Sequence, residues 1–339
     1  MIMSNTATAA MMLALIAPVV DARPAGDRFA RCLVLAVPAG ANVGGMASLV
    51  GTPPNAIAAG LLAEQTENGI TFARWLAIGL PPALVLEAIL MAVLLWQIRG
   101  ANAAAGGVAP ALPEQQDSQG AVTQLPTAAA ETGVPARRRY GHTRDGTPIW
   151  QVLWVSGTLL VTLSLWMTQD LHGLPTPVVA VVPIVLLTAT GILDVASFRG
   201  LPFDVLFLLA GGLALGHAVQ DTGLATWLVG FVDLGALSVP AFTVLAGAFA
   251  VALSNVMSNT AAANVLVPLV LTASVAAGES AALTVALCAS AAMALPVATP
   301  PNALAAASGR VGARDFLLLG SVAGAVTPLL TAGWVLLTR

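Results

Sequence analysis

The chain has 339 residues, 58% of them hydrophobic and only 9% charged, with a mean hydropathy of +0.88 and a formal net charge of −3. So few polar residues cannot coat a water-soluble fold, which leaves an all-α polytopic membrane protein. All 13 basic residues are arginine, which removes Schiff-base and Ser–Lys chemistry.

In chain order, residues 9–20 are apolar and followed by small residues, as in a secretory leader. A polar triplet occupies the place of the basic leader region, so the segment reads as mature sequence. Apolar runs able to cross a bilayer, which takes about 20 residues for a straight helix, follow at 33–63 (broken at 44–54), 75–96, 149–167, 176–192, a short 205–219, 281–307 (broken at 299–302) and 316–337. Residues 100–147 are rich in Ala, Pro, Gln and Gly without apolar period, the composition of a disordered linker. Residues 223–237 are bounded by Gly and Pro and suit a helix lying along the interface. The expected organisation is a first-repeat transport part at 1–99, a cytoplasmic linker at 100–148, scaffold helices at 149–237 and a second-repeat transport part at 238–339.

Two polar motifs each occur twice within this apolar sequence. Ser4-Asn5-Thr6 precedes Gly51-Thr52-Pro53-Pro54-Asn55, and Ser258-Asn259-Thr260 precedes Ala298-Thr299-Pro300-Pro301-Asn302, at offsets of 254 (4 to 258) and 247 (53 to 300). Ser, Thr and Asn are favoured helix N-caps and Pro suits the first helical position, so each motif reads as the start of a half-helix inside the membrane. Four such starts present unpaired N–H groups and positive dipole ends suited to an anion, while side-chain oxygens and freed carbonyls are the hard ligands that Na⁺ prefers. None of the four motifs contains a charged residue.

Arginines fall 11 to 2 in alternate connections, as expected if the Arg-bearing loops are cytoplasmic. That count holds only if 240–277 is a re-entrant hairpin turning at 254–260, and the first triplet is then the tip of a hairpin entering from the other side. The two repeats would be inverted. The Arg137-Arg138-Arg139 run sits just before a span and reads as a topology anchor rather than a nucleic-acid patch.

At these motifs the chain resembles the divalent anion/sodium symporter family. Ser4-Asn5-Thr6-Ala7-Thr8-Ala9-Ala10 and the stretch from Gly44-Gly45 to Asn55 look like its first hairpin tip and broken helix. Ser258-Asn259-Thr260 and the stretch from Leu295-Pro296 to Ala303 look like the second set. The resemblance implies that Ser4, Asn5 and Gly45 help hold one sodium, and Ser254, Ser258, Asn259 and Ala298 another. It places Asn5, Thr6, Ser48, Asn259, Thr260, Thr299 and Pro300 toward the substrate carboxylates. It further implies homodimers in the lipid bilayer of the inner (plasma) membrane, an elevator-like form of alternating access, and no cofactor beyond the coupling Na⁺. The resemblance also implies a small dianion as substrate, a C4-dicarboxylate or a related di- or tricarboxylate, and hydroxyl and backbone contacts read its two negative ends without fixing which dianion it is. Two departures stand out. Met293 occupies a position where the family often carries Phe, and the chain starts three residues before the first triplet. Scaffold helices and a first hairpin arm are expected upstream, which reads as an N-terminal truncation with an incomplete first cation site. An anion exchanger, an arsenite- or proton-linked carrier, and an inactive fragment are the alternative readings.

An enzyme is disfavoured: there is no His-Glu-x-x-His or Gly-x-Ser-x-Gly, and His142, His172 and His217 lie in different connections. Cys32 and Cys288 lack metal or redox spacing and read as buried apolar residues. Glu87 is the only acid well inside a span, either protonated or facing an aqueous path. His217 reads as a partly buried structural histidine.

Overall fold

The computed structural model describes residues 4–65, 69–104, 148–195, 199, 203–224, 227, 237–274 and 276–338. The described elements are helices. In chain order they are α1 (Asn5–Asp21), α2 (Arg28–Met46), α3 (Pro53–Gln65), α4 (Phe72–Ala104), α5 (Ile149–Met167), α6 (Gln169–His172) and α7 (Thr176–Ala189). There follow α8 (Phe203–Asp221), α9 (Val239–Val256), α10 (Asn259–Ala273), α11 (Gly278–Ser290), α12 (Pro300–Ala307) and α13 (Ala313–Leu337). Five of them, α2, α4, α5, α9 and α13, are long and apolar enough to cross a membrane. The protein is an all-α polytopic membrane protein.

Local chemistry explains the ends. Asp27 Oδ2 accepts from the Ala30 N–H at 2.9 Å to open α2, and the Gly312 N–H donates to Asp315 Oδ2 at 2.8 Å to open α13. The span expected at 149–167 matches α5 at both ends. Helix α4 continues to Ala104, into the stretch expected as linker, because Ala and Gln keep the last turns helical without apolar pattern. The rest of that stretch, with the Arg137–Arg139 run, lies outside the described residues, as does most of the expected interfacial helix at 223–237.

The hairpin expected at 240–277 is present as α9 and α10, joined at Met257 and Ser258 and packed against each other. Both long spans expected to be broken are broken; the first break lies within the expected 44–54, and the second lies ahead of the expected 299–302. The first covers 47–52 and the second 291–299, so each Pro-Pro pair forms the opening turn of the second half-helix and lies outside the gap. Proline lacks the N–H that an interior helical position must donate, and the first turn is where that loss is harmless.

Packing follows the sequence repeat. Helices α1, α2, α3 and α4 correspond to α10, α11, α12 and α13, and the contacts come in matching pairs: α1 on α2 and α10 on α11, α2 on α4 and α11 on α13, α1 on α12 and α10 on α3, α2 on α12 and α11 on α3. Two ion pairs fix the directions. Arg31 Nη1 lies 3.3 Å from Asp315 Oδ1, so α2 and α13 start at one end of the molecule. Arg74 Nη2 lies 3.0 Å from Glu279 Oε1, so α4 and α11 start together as well. Since α4 follows the far end of α2–α3, that second end is the opposite one, and the equivalent helices α2 and α11 run in opposite directions. Arg310 joins the first end, with Nη1 donating to the Arg23 carbonyl at 3.2 Å and Nη2 3.4 Å from Asp21 Oδ1. Helices α5 and α7 pack on each other, and α5 meets α4, where Phe72 and Trp166 stack at 5.0 Å.

Each closing helix touches its own break through a glycine. A methyl on Gly79 would lie 2.6 Å from the Met46 carbonyl oxygen, and one on Gly320 would overlap the Ala294 backbone. Backbone cannot yield as a side-chain tip can, so Gly320→Ala is expected to destabilise by about 1–3 kcal/mol, the usual cost of overpacking. A thermal-unfolding midpoint equal to wild type in detergent would contradict this.

Candidate functional site

A helix that stops inside a membrane leaves carbonyls without partners, and hydrocarbon offers no water to satisfy them. Here a side-chain amide fills that role at both breaks. Asn55 Nδ2 donates to the carbonyls of Ser48 (2.8 Å) and Gly45 (3.0 Å), with Met46 at 3.5 Å. Asn302 Nδ2 donates to the carbonyls of Leu295 (2.9 Å) and Met293 (3.1 Å). Both side chains are fully buried. Their amides therefore serve the breaks, a role that the reading of each motif as a bare half-helix start did not include.

One correction concerns the backbone donors. Pro53, Pro54, Pro300 and Pro301 have no N–H, and the next N–H groups are already committed: Asn55 N to the Thr52 carbonyl at 3.2 Å, and Asn302 N to Thr299 Oγ1 at 3.4 Å. The Pro-Pro half-helices thus offer no free N–H in their first turn. The triplet tips differ. Ser4 Oγ accepts from Ala7 N at 3.2 Å and Ser258 Oγ from Ala261 N at 3.1 Å, while the Ser4 and Ser258 carbonyls accept from Thr8 and Ala262. Among the described residues nothing accepts from the N–H groups of Asn5, Thr6, Asn259 or Thr260. These four donors sit at positive dipole ends.

The predicted first cation set is brought together in part: Asn5 packs on Gly45, where an added methyl would lie 2.8 Å from Nδ2 and 2.9 Å from Oδ1. In the second set, Ser254 Oγ and Asn259 Oδ1 are both buried with no hydrogen-bond partner among the described residues. Orphaned oxygens flanking one hairpin turn fit a hard cation. Ser258 caps the same turn, and Ala298 lies buried in the facing break. Of the predicted anion contacts, Ser48, Thr260 and Thr299 are buried whereas Thr6 and Pro300 are exposed.

Two residues were missed by sequence reasoning. Asn255 Oδ1 accepts from the Ala294 N–H at 2.9 Å, tying the second hairpin to the second break. Asn42 Nδ2 donates to Thr299 Oγ1 at 3.1 Å and to Asn302 Oδ1 at 3.2 Å, tying α2 to the opposite repeat. Each is a lone amide in an apolar run, where satisfying it requires a partner from another element; that cost is the available signal. Beside the first break a cleft of about 890 Å³ opens between α3 and the α6–α7 connection, with Leu49, Val50, Gly60 and Thr176 on its walls.

Outside this region, Glu87 is half-buried on α4 opposite Gly40 of α2, with Oε2 unpartnered among the described residues. His217 Nε2 lies 3.1 Å from Glu64 Oε1, in keeping with a structural role. Cys32 and Cys288 are free and buried, as expected.

A profile for citrate transporters (CitMHS) matches residues 1–289, most of the chain. The chain belongs to the citrate transporter family. It is also similar to the sodium-dependent dicarboxylate transporter SdcS of Staphylococcus aureus, being 28% identical over 335 residues to that of strain bovine RF122 / ET3-1 and equally to those of strains MSSA476 and MW2. These alignments cover 94% of this chain and 63% of each relative, so the chain spans less than two thirds of the length of the relatives it matches. In this family member, Asn302→Ala would leave the Met293 and Leu295 carbonyls and one of the two Asn42 Nδ2 hydrogens without a partner, and is expected to destabilise by about 1–3 kcal/mol. An unchanged unfolding midpoint would refute the capping role.

Proposed function

We propose that the protein takes part in sodium-coupled transport of small divalent anions, with C4-dicarboxylates or related di- and tricarboxylates as substrates. The observation that carries this reading is the pairing of unclaimed donors with unclaimed oxygens at the hairpin tips: free N–H groups at Asn5, Thr6, Asn259 and Thr260, and orphaned oxygens on Ser254 and Asn259. With no charged side chain in the motifs, a carboxylate is held by dipoles and hydroxyls, and bound sodium supplies the balancing charge.

Ser4, Asn5 and Gly45 form one sodium site; Ser254, Ser258, Asn259 and Ala298 form the other. Asn5, Thr6, Ser48, Asn259, Thr260, Thr299 and Pro300 face the anion. Alternating access is elevator-like: α1–α4 with α9–α13 form the moving part, a division supported by their mutual packing, while α5–α7 meet them through α4 and the 890 Å³ cleft. The arginine-rich end, with Arg23, Arg31 and Arg310, faces the cytoplasm of a cell whose plasma membrane holds the protein as a homodimer.

The test is a thermal-shift screen of succinate, malate, citrate, tartrate and sulfate in sodium chloride against choline chloride. A dianion that stabilises only with sodium is the expected result, and no stabilisation by any pair would end the proposal. Ser254→Ala is expected to raise the sodium concentration for half-maximal stabilisation about tenfold, the equivalent of ~1.4 kcal/mol. Unchanged sodium dependence would remove Ser254 from the site.

A further inference from the structure

The two breaks are built alike but finished differently. The offset that maps Asn55 onto Asn302 maps Asn42 onto Ala289. At the second break, Asn302 has every polar atom engaged: Nδ2 donates to the Met293 and Leu295 carbonyls, and Oδ1 accepts from Asn42 Nδ2. At the first break the counterpart oxygen, Asn55 Oδ1, is buried with no partner among the described residues. Asn42 thus supplies one repeat with something the other lacks.

The orientation of each group in this chain is dictated by the one before it. Two carbonyls can only accept, so they fix the Asn302 amide with Nδ2 toward them. Asn302 Oδ1 then requires a donor, so Asn42 presents Nδ2; turned over, it would set two amide oxygens against each other. The second hydrogen on Asn42 Nδ2 goes to Thr299 Oγ1, which also accepts from the Asn302 N–H. A hydroxyl has two lone pairs and one hydrogen. Both Thr299 lone pairs are claimed, which leaves its O–H as a donor and nothing with which to ligate a cation.

From this we infer that Asn42 is a positioning residue that commits the Thr299 hydroxyl to donate to the transported anion. The inference rests on the transport reading above. The commitment matters at this place because Pro300 and Pro301 have no N–H, the Asn302 N–H is used, and both Nδ2 hydrogens of Asn302 and of Asn42 are spent. Among the described residues, the Thr299 O–H is the one donor this half-helix start retains. Asn42 does not touch the anion; it acts through Thr299. The site is accordingly asymmetric within a symmetric frame.

The test uses the 339-residue chain in detergent and whichever of succinate, malate, citrate, tartrate or sulfate stabilises the wild type in sodium chloride. Asn42→Ala is expected to weaken dianion binding about tenfold, the loss of one committed hydrogen bond to a charged group, and to shift sodium stabilisation in the absence of dianion less than about twofold. In a Thr299→Val background, Asn42→Ala is expected to cost no further dianion affinity, whereas a purely structural role would give additive losses. Asn42→Asp, nearly identical in shape, places an acceptor beside Thr299 that draws the hydroxyl hydrogen away, so it should lose dianion binding by more than Asn42→Ala while keeping sodium binding. Additive losses, or wild-type dianion affinity in either Asn42 variant, would overturn the inference. A wild type that no dianion stabilises would overturn the transport reading first, and the role of Asn42 with it.

Discussion

The constraint on which this structure depends is that a peptide carbonyl stranded in hydrocarbon has to be given a donor. The protein interrupts two membrane helices, at 47–52 and 291–299, and each interruption is made tolerable by one buried asparagine that returns from the following half-helix to bridge the gap. That single interaction explains why the Thr-Pro-Pro-Asn order recurs. Threonine ends the gap, two prolines open a helix without needing donors, and asparagine sits one step further on, where its side chain reaches back. Trp75 adds a further donor to the Met46 carbonyl at 3.2 Å.

Around the breaks, the inverted relation between repeats is carried by packing and by charge placement together. The Arg31–Asp315 and Arg74–Glu279 pairs occupy matching positions at opposite ends, with the acid and base exchanged between the matching helices. Partly exposed pairs of this kind add little stability. Their value is geometric, since they mark which helix starts share a face. The hairpin arms α1 and α10 each lean on the half-helix of the other repeat, α12 and α3, so neither break is enclosed by its own repeat alone.

Much of this was legible in the sequence. The doubled triplets located the starts of α1 and α10, and the arginine count required α9–α10 to turn back, which they do. The first gap falls within its expected bounds, 44–54, whereas the second opens at 291, ahead of the expected 299–302, in an apolar stretch whose only helix breaker is Pro296. The role of Asn55 and Asn302 was not legible: in sequence they look identical to Asn5 and Asn259, and only the geometry separates an amide spent on carbonyls from one left available. Asn42 and Asn255 escaped notice because each acts on a residue in another part of the chain, at separations of 257 and 39 positions, and no local pattern records such a partner.

The absence of ionisable side chains from both tips and both gaps has an electrical consequence. A bilayer at 100 mV exerts about 2.3 kcal/mol on each elementary charge carried across it. An unloaded cradle of amides, hydroxyls and dipoles feels none of that force through these residues, so voltage acts there only on the sum of what is bound. Under the proposed transport, whether the membrane potential drives the loaded step is then decided by the cargo's own arithmetic, cations against anion, with these residues acting as an electrically silent vessel.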